Sequence, residues 1–280
     1  MTIEVPSGKS TATENFPVGS LLIRADLRTH VHTFYRFARA ADDIADSAGL
    51  AAGEKVRRLE RMAYVLQGGR GQDAPSALAM RVSLEATGVT PDHCLELLEA
   101  FKLDATKLRY KDWDDLLAYC RLSAMPVGRH VLDLHGEDRR TWTFSDPLCA
   151  SLQVLNHLQD CAEDKRLLDR VYLPTDILRE CGAAIDDLER PAATPGLRRA
   201  MDRLLDRCAG LNKEARGLPR SVRDRRLRAE TAVIVSVAER LTARLRRRDP
   251  LAERVKLPAL DVMLAFARGI PAGLGRRAAA

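Results

Sequence analysis

The segment FYRFARAADDIAD sets Asp42, Asp43 and Asp46 in a stretch otherwise rich in apolar residues. At about 100° per residue, Tyr35, Arg39, Asp42 and Asp46 fall within an arc of about 60°, with Asp43 at its edge. One helix face would then carry an aromatic ring, a guanidinium and two carboxylates, with Phe34, Phe37, Ala38, Ala41 and Ile44 making its surroundings apolar. A second segment, SLQVLNHLQDCAED, puts Gln153, Asn156, Asp160 and Asp164 within an arc of about 80°. Tyr35, Asp42, Asp46 and Gln153, Asp160, Asp164 both step by seven and then four residues. Carboxylates one turn apart on two facing helices can hold Mg²⁺, leaving the remaining octahedral positions to water and a substrate phosphate. Such an ion neutralises a diphosphate leaving group. Either pair alone reads more simply as a solvated acidic face; the repeat of spacing and setting favours the metal reading.

Other chemistries fail on spacing. No Glu stands three residues before any histidine, which removes a di-iron bundle. There is no Gly-x-Ser-x-Gly elbow and no Gly-x-x-x-x-Gly-Lys loop, and the match at Gly273 to Ala278 has no strand before it. The six histidines read as surface or satisfied core residues rather than ligands. In YCRLSAMPVGRHVLDLHG, Tyr119 and Ser123 lie one turn apart ahead of Pro126. A tyrosine ring beside a cavity can stabilise a carbocation through its π-face, although a buried tyrosine can equally be only packed and hydrogen-bonded.

The elements that must position these residues are helices. Apolar residues recur at helical spacing in nearly every long segment, and alternating β-branched runs are almost absent, so the chain is predicted to be all-α. Helices are expected over 21–47, 54–67, 76–87, 92–110, 113–134, 148–168, 197–215, 222–248 and 259–268, with Pro126 kinking the fifth. No repeat or long polar linker divides the chain, which predicts a single domain over residues 1–280, with 1–14 and 271–280 as flexible ends. Lys and Arg number 45 against 39 Asp and Glu, a surplus that suits an anionic ligand, a phospholipid surface or nucleic acid. Residues 216–248 hold eleven arginines, read as a solvated face or a phospholipid contact. Scattered cysteines, no apolar run long enough to span a membrane and no secretion signal predict a cytoplasmic protein.

ENFPVGS, FYRFARAADDIAD, YCRLSAMPVG and LNHLQDCAEDKRLLDRVYLP resemble the squalene/phytoene synthase family from Asn15 to about Leu264. Within it they look most like the bacterial hopanoid-pathway branch. The resemblance implies an isoprenoid-synthase helical bundle around a central cavity, and Mg²⁺ held through Asp42, Asp46, Asp160 and Asp164, with Asp43 beside them. Arg39, Gln153 and Asn156 match diphosphate or metal contacts, Tyr35 and Tyr119 match cavity positions, and Phe16 matches a substrate-side aromatic. Gln159 departs from an arginine common in relatives, which puts one diphosphate contact in doubt, and Met125 departs from a smaller residue at the cavity end. The implied partner is a prenyl diphosphate, not nucleic acid, with peripheral contact to the inner membrane and oligomeric state left open. The implied reaction is ionisation of presqualene diphosphate and capture of the cation by water, without NADPH. Rival readings are condensation of two farnesyl diphosphates, squalene synthesis with NADPH, phytoene synthesis, a class I terpene cyclase and an inert helical scaffold.

Overall fold

The computed structural model describes residues 2–4 and 22–274. Its α-helices are, in order, α1 (Ala25–Asp46), α2 (Ala52–Leu66), α3 (Pro75–Thr87), α4 (Asp92–Thr106), α5 (Trp113–Ser123), α6 (Met125–Leu134), α7 (Trp142–Leu168), α8 (Thr175–Glu180), α9 (Pro195–Ala215), α10 (Leu218–Ser221), α11 (Arg225–Leu245) and α12 (Ala259–Leu274). Among the described residues there is no strand, only a bridge between Arg109 and Val171, and the chain is all-α.

Local chemistry starts several of these helices. The Asp112 carboxylate accepts the Asp115 N–H at 2.9 Å, and Asp224 accepts the N–H groups of Arg226 and Leu227 at 2.9 Å each. Thr194 does the same for Leu197 at 3.2 Å with Pro195 at the first helical position. Such caps satisfy orphan donors and contribute about 1 kcal/mol each.

Among the described residues two large apolar cores form, with a smaller cluster of Val233, Val237 and Ala265 beside them. Phe37, Ile44, Met62, Met80 and Leu98 are buried together under α1 to α4. Leu116, Leu155, Leu158, Leu173 and Leu205 are buried in the larger core built on α5, α7, α9 and α11. Burying each such side chain contributes about 1.5–3 kcal/mol. Because α1 roots in the first core and α7 in the second, their polar faces meet along the seam between the two.

Several expectations need correction. Pro126 does not bend a continuous helix: Ala124 leaves helical geometry (φ −124°, ψ −46°) and α6 begins at Met125. In the first turn the missing proline N–H has no partner to lose. Pro147 does not precede α7 but lies inside it, at the cost of one backbone bond near its start. α4 stops at Thr106, leaving Tyr110 in an extended stretch. The arginine run is not one solvated face, since Arg228 is buried with its Nε donating to the Val222 carbonyl at 3.1 Å. Near the chain ends, the Ile3 N–H donates to the Asp73 carbonyl at 2.9 Å and α12 reaches Leu274, while residues 1, 5–14 and 275–280 lie outside the described residues. No described helix is long and apolar enough to cross a membrane.

Candidate active site

The seam encloses a cavity of about 400 Å³. From α1 it is lined by Tyr35, Ala38, Arg39, Asp42 and Asp46, and from α7 by Gln153, Asn156, His157, Asp160 and Asp164. The two polar ladders foreseen from periodicity thus face one another. Asp160 is exposed and Asp42 one-third exposed, so they stand at the mouth; Asp46 and Asp164 are half-buried further in. Tyr119 and Ser123 of α5 complete one wall.

Asp43 does not join this set. Its side chain is 10% exposed, pairs with the Arg39 Nε at 3.2 Å, and lines a neighbouring hollow with Thr2, Glu4 and Pro75. One residue of helix, about 100°, turns it off the shared face. Arg39 also reaches Asp42 at 3.3 Å, so it bridges the site and its outer flank. Phe16 lies outside the described residues. Met125 is buried in the larger core and lines neither this cavity nor the apolar one next to it, because the chain break at Ala124 turns it inward. Gln159 points away from the site and donates to the Val255 carbonyl at 2.5 Å, tying α7 to the segment before α12.

Four site residues were not foreseen: Asp104, Arg170, Tyr172 and His157. Asp169 ends α7 in the left-handed region (φ 49°), held by Lys165 at 2.7 Å and Arg109 at 2.8 Å. The chain then returns as an extended segment that runs parallel to the one following α4, with the Val171 N–H on the Leu108 carbonyl at 2.9 Å. This return delivers Arg170, whose Nη1 meets Asp46 at 3.0 Å, and Tyr172, whose hydroxyl donates to Asp104 at 2.7 Å. The Tyr119 hydroxyl donates to the other Asp104 oxygen at 2.8 Å. Burial pushes the Asp104 carboxyl up to about 6, against the opposing pull of Arg170 and the two phenols. His157 stacks on Tyr172 at 3.5 Å, and burial pushes it down to about 3, so it is a neutral ring. Tyr119 and Tyr172 are themselves pushed up by burial and stay protonated.

The residues present fit a divalent cation. Among the described residues five carboxylates and two guanidinium groups, Arg39 and Arg170, line the cavity. Asp164 is pushed up to about 8, by burial first and then by Asp160, with Arg170 opposing and Asp46 and Asp104 adding to the rise. Negative charge removed from water in this way calls for a cation. Among the described residues no three His, Cys, Asp or Glu groups close into a cage. Mg²⁺ needs only one or two carboxylates and takes its other oxygens from water and a bound phosphate.

A pH signature follows. A carboxyl whose pKa rises from 3.8 unfolded to about 8 folded favours the fold below the lower value, and that contribution is lost as pH climbs toward the upper one. Mg²⁺ binds the ionised form, so its effect grows over the same window. Millimolar Mg²⁺ is expected to raise the melting temperature more at about pH 8 than at about pH 5. Equal shifts at both pH values contradict the assignment.

Behind the polar cavity lies an apolar one of about 300 Å³, bounded by Ile23, Phe34, Val131, Leu148 and Ile234. Tyr35 and Ala38 line both, so a charged compartment and a hydrocarbon-lined one lie side by side. The small side of Gly128 allows this packing: a Cβ there would stand 2.4 Å from Ser145 Oγ.

Known proteins resemble this chain in sequence and fold. The family model for squalene/phytoene synthase matches residues 10–261. A hydroxysqualene synthase of Rhodopseudomonas palustris is 44% identical over 98% of this chain and 94% of its own, and one from Sinorhizobium fredii is 45% identical over 90% and 86%. The crystal structure of the squalene synthase HpnC from Alicyclobacillus acidocaldarius superposes with a TM-score of 0.73 at 34% identity, over 83% of this chain and 88% of that one. These likenesses show that the chain belongs to the squalene/phytoene synthase family, with its isoprenoid-synthase helical fold.

Proposed function

We propose that the protein converts presqualene diphosphate and water to hydroxysqualene and diphosphate. The observation that carries this reading is the shared wall at Tyr35 and Ala38, where a site suited to a charged diphosphate adjoins one suited to a hydrocarbon chain. The two relatives named hydroxysqualene synthase, alike over nearly the whole chain, support it.

Mg²⁺ bound by Asp42, Asp46, Asp160 and Asp164 would supply positive charge to the departing diphosphate. Arg39, Gln153 and Asn156 orient that group at the mouth. The C–O bond breaks with its electron pair leaving on the diphosphate, and the resulting cyclopropylcarbinyl cation rearranges. Tyr119, Tyr172 and His157 give it π-faces, and a neutral His157 does so without adding a competing positive charge. Asp104, by accepting from both phenols, fixes their rings. Water then bonds to the rearranged cation and loses a proton to solvent. Because water rather than hydride closes the reaction, no reductant is consumed. Cytoplasmic placement belongs to the same proposal.

Presqualene diphosphate incubated with Mg²⁺ is expected to give hydroxysqualene whether or not NADPH is present. Squalene formed only with NADPH, or turnover of farnesyl diphosphate alone, would overturn the proposal. Tyr119→Phe is expected to keep the ring but strand one Asp104 oxygen. It should cost about 1.5–3 kcal/mol of stability and slow conversion by roughly ten-fold with more eliminated by-product. A variant unchanged in melting, rate and products would leave the phenol without a role.

A further inference from the structure

The outward face of α12 is an apolar stripe. Leu260 and Met263 are each 66% exposed and Leu264 39%, and Ala267 and Pro271 are exposed as well. At about 100° per residue these five positions fall within an arc of about 100°, a continuous stripe about 16 Å long. The opposite face carries the packing. Ala265 is buried against Val233 and Val237, and a Cβ on Gly269 would stand 2.6 Å from the Val233 side chain. Small residues therefore seat α12 on α11, while its large apolar residues face outward.

Charge gathers around this stripe. Residues 240–280 hold ten Lys and Arg against three Asp and Glu, more than the whole net surplus of +6, so the remainder of the chain is slightly acidic. Asp261, the one acid on α12, is neutralised by Arg240 at 2.8 Å. Arg254 and Lys256 are exposed just ahead of the helix, and Arg276 and Arg277 follow it in sequence. Large apolar side chains in a region of net positive charge are the pattern of a helix lying in the headgroup layer of an anionic bilayer. A second copy of this chain would bring the same positive surplus against itself, which disfavours self-association through this face.

We infer that α12 docks the protein on an anionic phospholipid surface, with Leu260, Met263 and Leu264 inserted. The helix backs α11, the wall that supplies Leu227, Thr231 and Ile234 to the apolar cavity. Leu22 packs against the same Val233, Val237 and Ala265 cluster as Phe266 of α12, while its neighbour Ile23 lines that cavity. Docking there places the cavity beside the lipid. The inference stands whatever substrate the site takes.

Co-sedimentation of the full chain with vesicles tests it. Vesicles of phosphatidylcholine with roughly one third phosphatidylglycerol are expected to bind the protein, and pure phosphatidylcholine to bind it at least ten-fold more weakly. Replacing Leu260, Met263 and Leu264 together by serine is expected to lower binding to the anionic vesicles about ten-fold with unchanged thermal unfolding. Val82→Ser, at an exposed apolar site on α3, should leave it unchanged. Absence of binding to either vesicle would overturn the inference. So would a triple variant that binds as wild type, an equal loss in Val82→Ser, or a dimer in solution that the triple variant converts to a monomer.

Discussion

Asp160→Asn is expected to lower kcat with presqualene diphosphate about a thousand-fold while leaving the fold intact. The two halves of this expectation rest on different observations. Asp160 is exposed at the cavity mouth, so its carboxylate contributes little to packing, and asparagine keeps its volume. Yet it lies on the ladder facing Asp42 and raises the Asp164 carboxyl beside it, which places it where a cation is needed. Loss of one anionic ligand removes several kcal/mol of stabilisation from charge developing on the diphosphate. Circular dichroism should show an unchanged spectrum. Activity within about ten-fold of wild type at saturating Mg²⁺ would contradict the two-ladder site.

Arg170→Leu is expected to act the other way, through the fold. Its side chain is 6% exposed and reaches Asp46 at 3.0 Å and the Tyr172 hydroxyl at 3.3 Å, with Asp104 at 3.9 Å. Removing one partner from a buried ion pair strands the other charges, at a cost of about 3–5 kcal/mol. The melting temperature of a chain this size should fall by roughly 10 °C. Asp104→Asn, placed in the Arg170→Leu background, removes one stranded charge and should recover part of the loss, a coupling that a double-mutant cycle measures. A melting temperature within about two degrees of wild type, or no coupling to Asp104, would show that the guanidinium is not the counter-charge of this cluster.

The ladders were legible because a helix repeats about every 3.6 residues, so spacing alone places Tyr35, Arg39, Asp42 and Asp46 on one side of α1 and Gln153, Asn156, Asp160 and Asp164 on one side of α7. Asp43 shows the limit of that resolution: one step in sequence moved it to a different hollow. Arg170 and Tyr172 have no period to betray them, since they lie on an extended return set by the left-handed turn at Asp169. Asp169 was a visible signal only in part, being a short polar residue of the kind that tolerates such a turn. Asp104 sits singly in α4, with no second acid at helical spacing on its face, and only the tertiary meeting with Tyr119 and Tyr172 gives it a function. His157 was read among satisfied core histidines, and it is buried, but its ring forms part of the cavity wall. Pro126 marked a chain break whose form depended on whether Ala124 stayed helical, a choice settled by packing between α5, α6 and α7.

Water capture fixes the origin of the product oxygen, which isotope-labelled solvent reads out. The protein, Mg²⁺ and presqualene diphosphate are incubated in ¹⁸O-labelled water and the hydrocarbon product is analysed by mass spectrometry. Hydroxysqualene carrying one solvent-derived ¹⁸O, in equal yield with and without NADPH, is the predicted result. Hydroxysqualene without label, or squalene whose formation depends on NADPH, would contradict it.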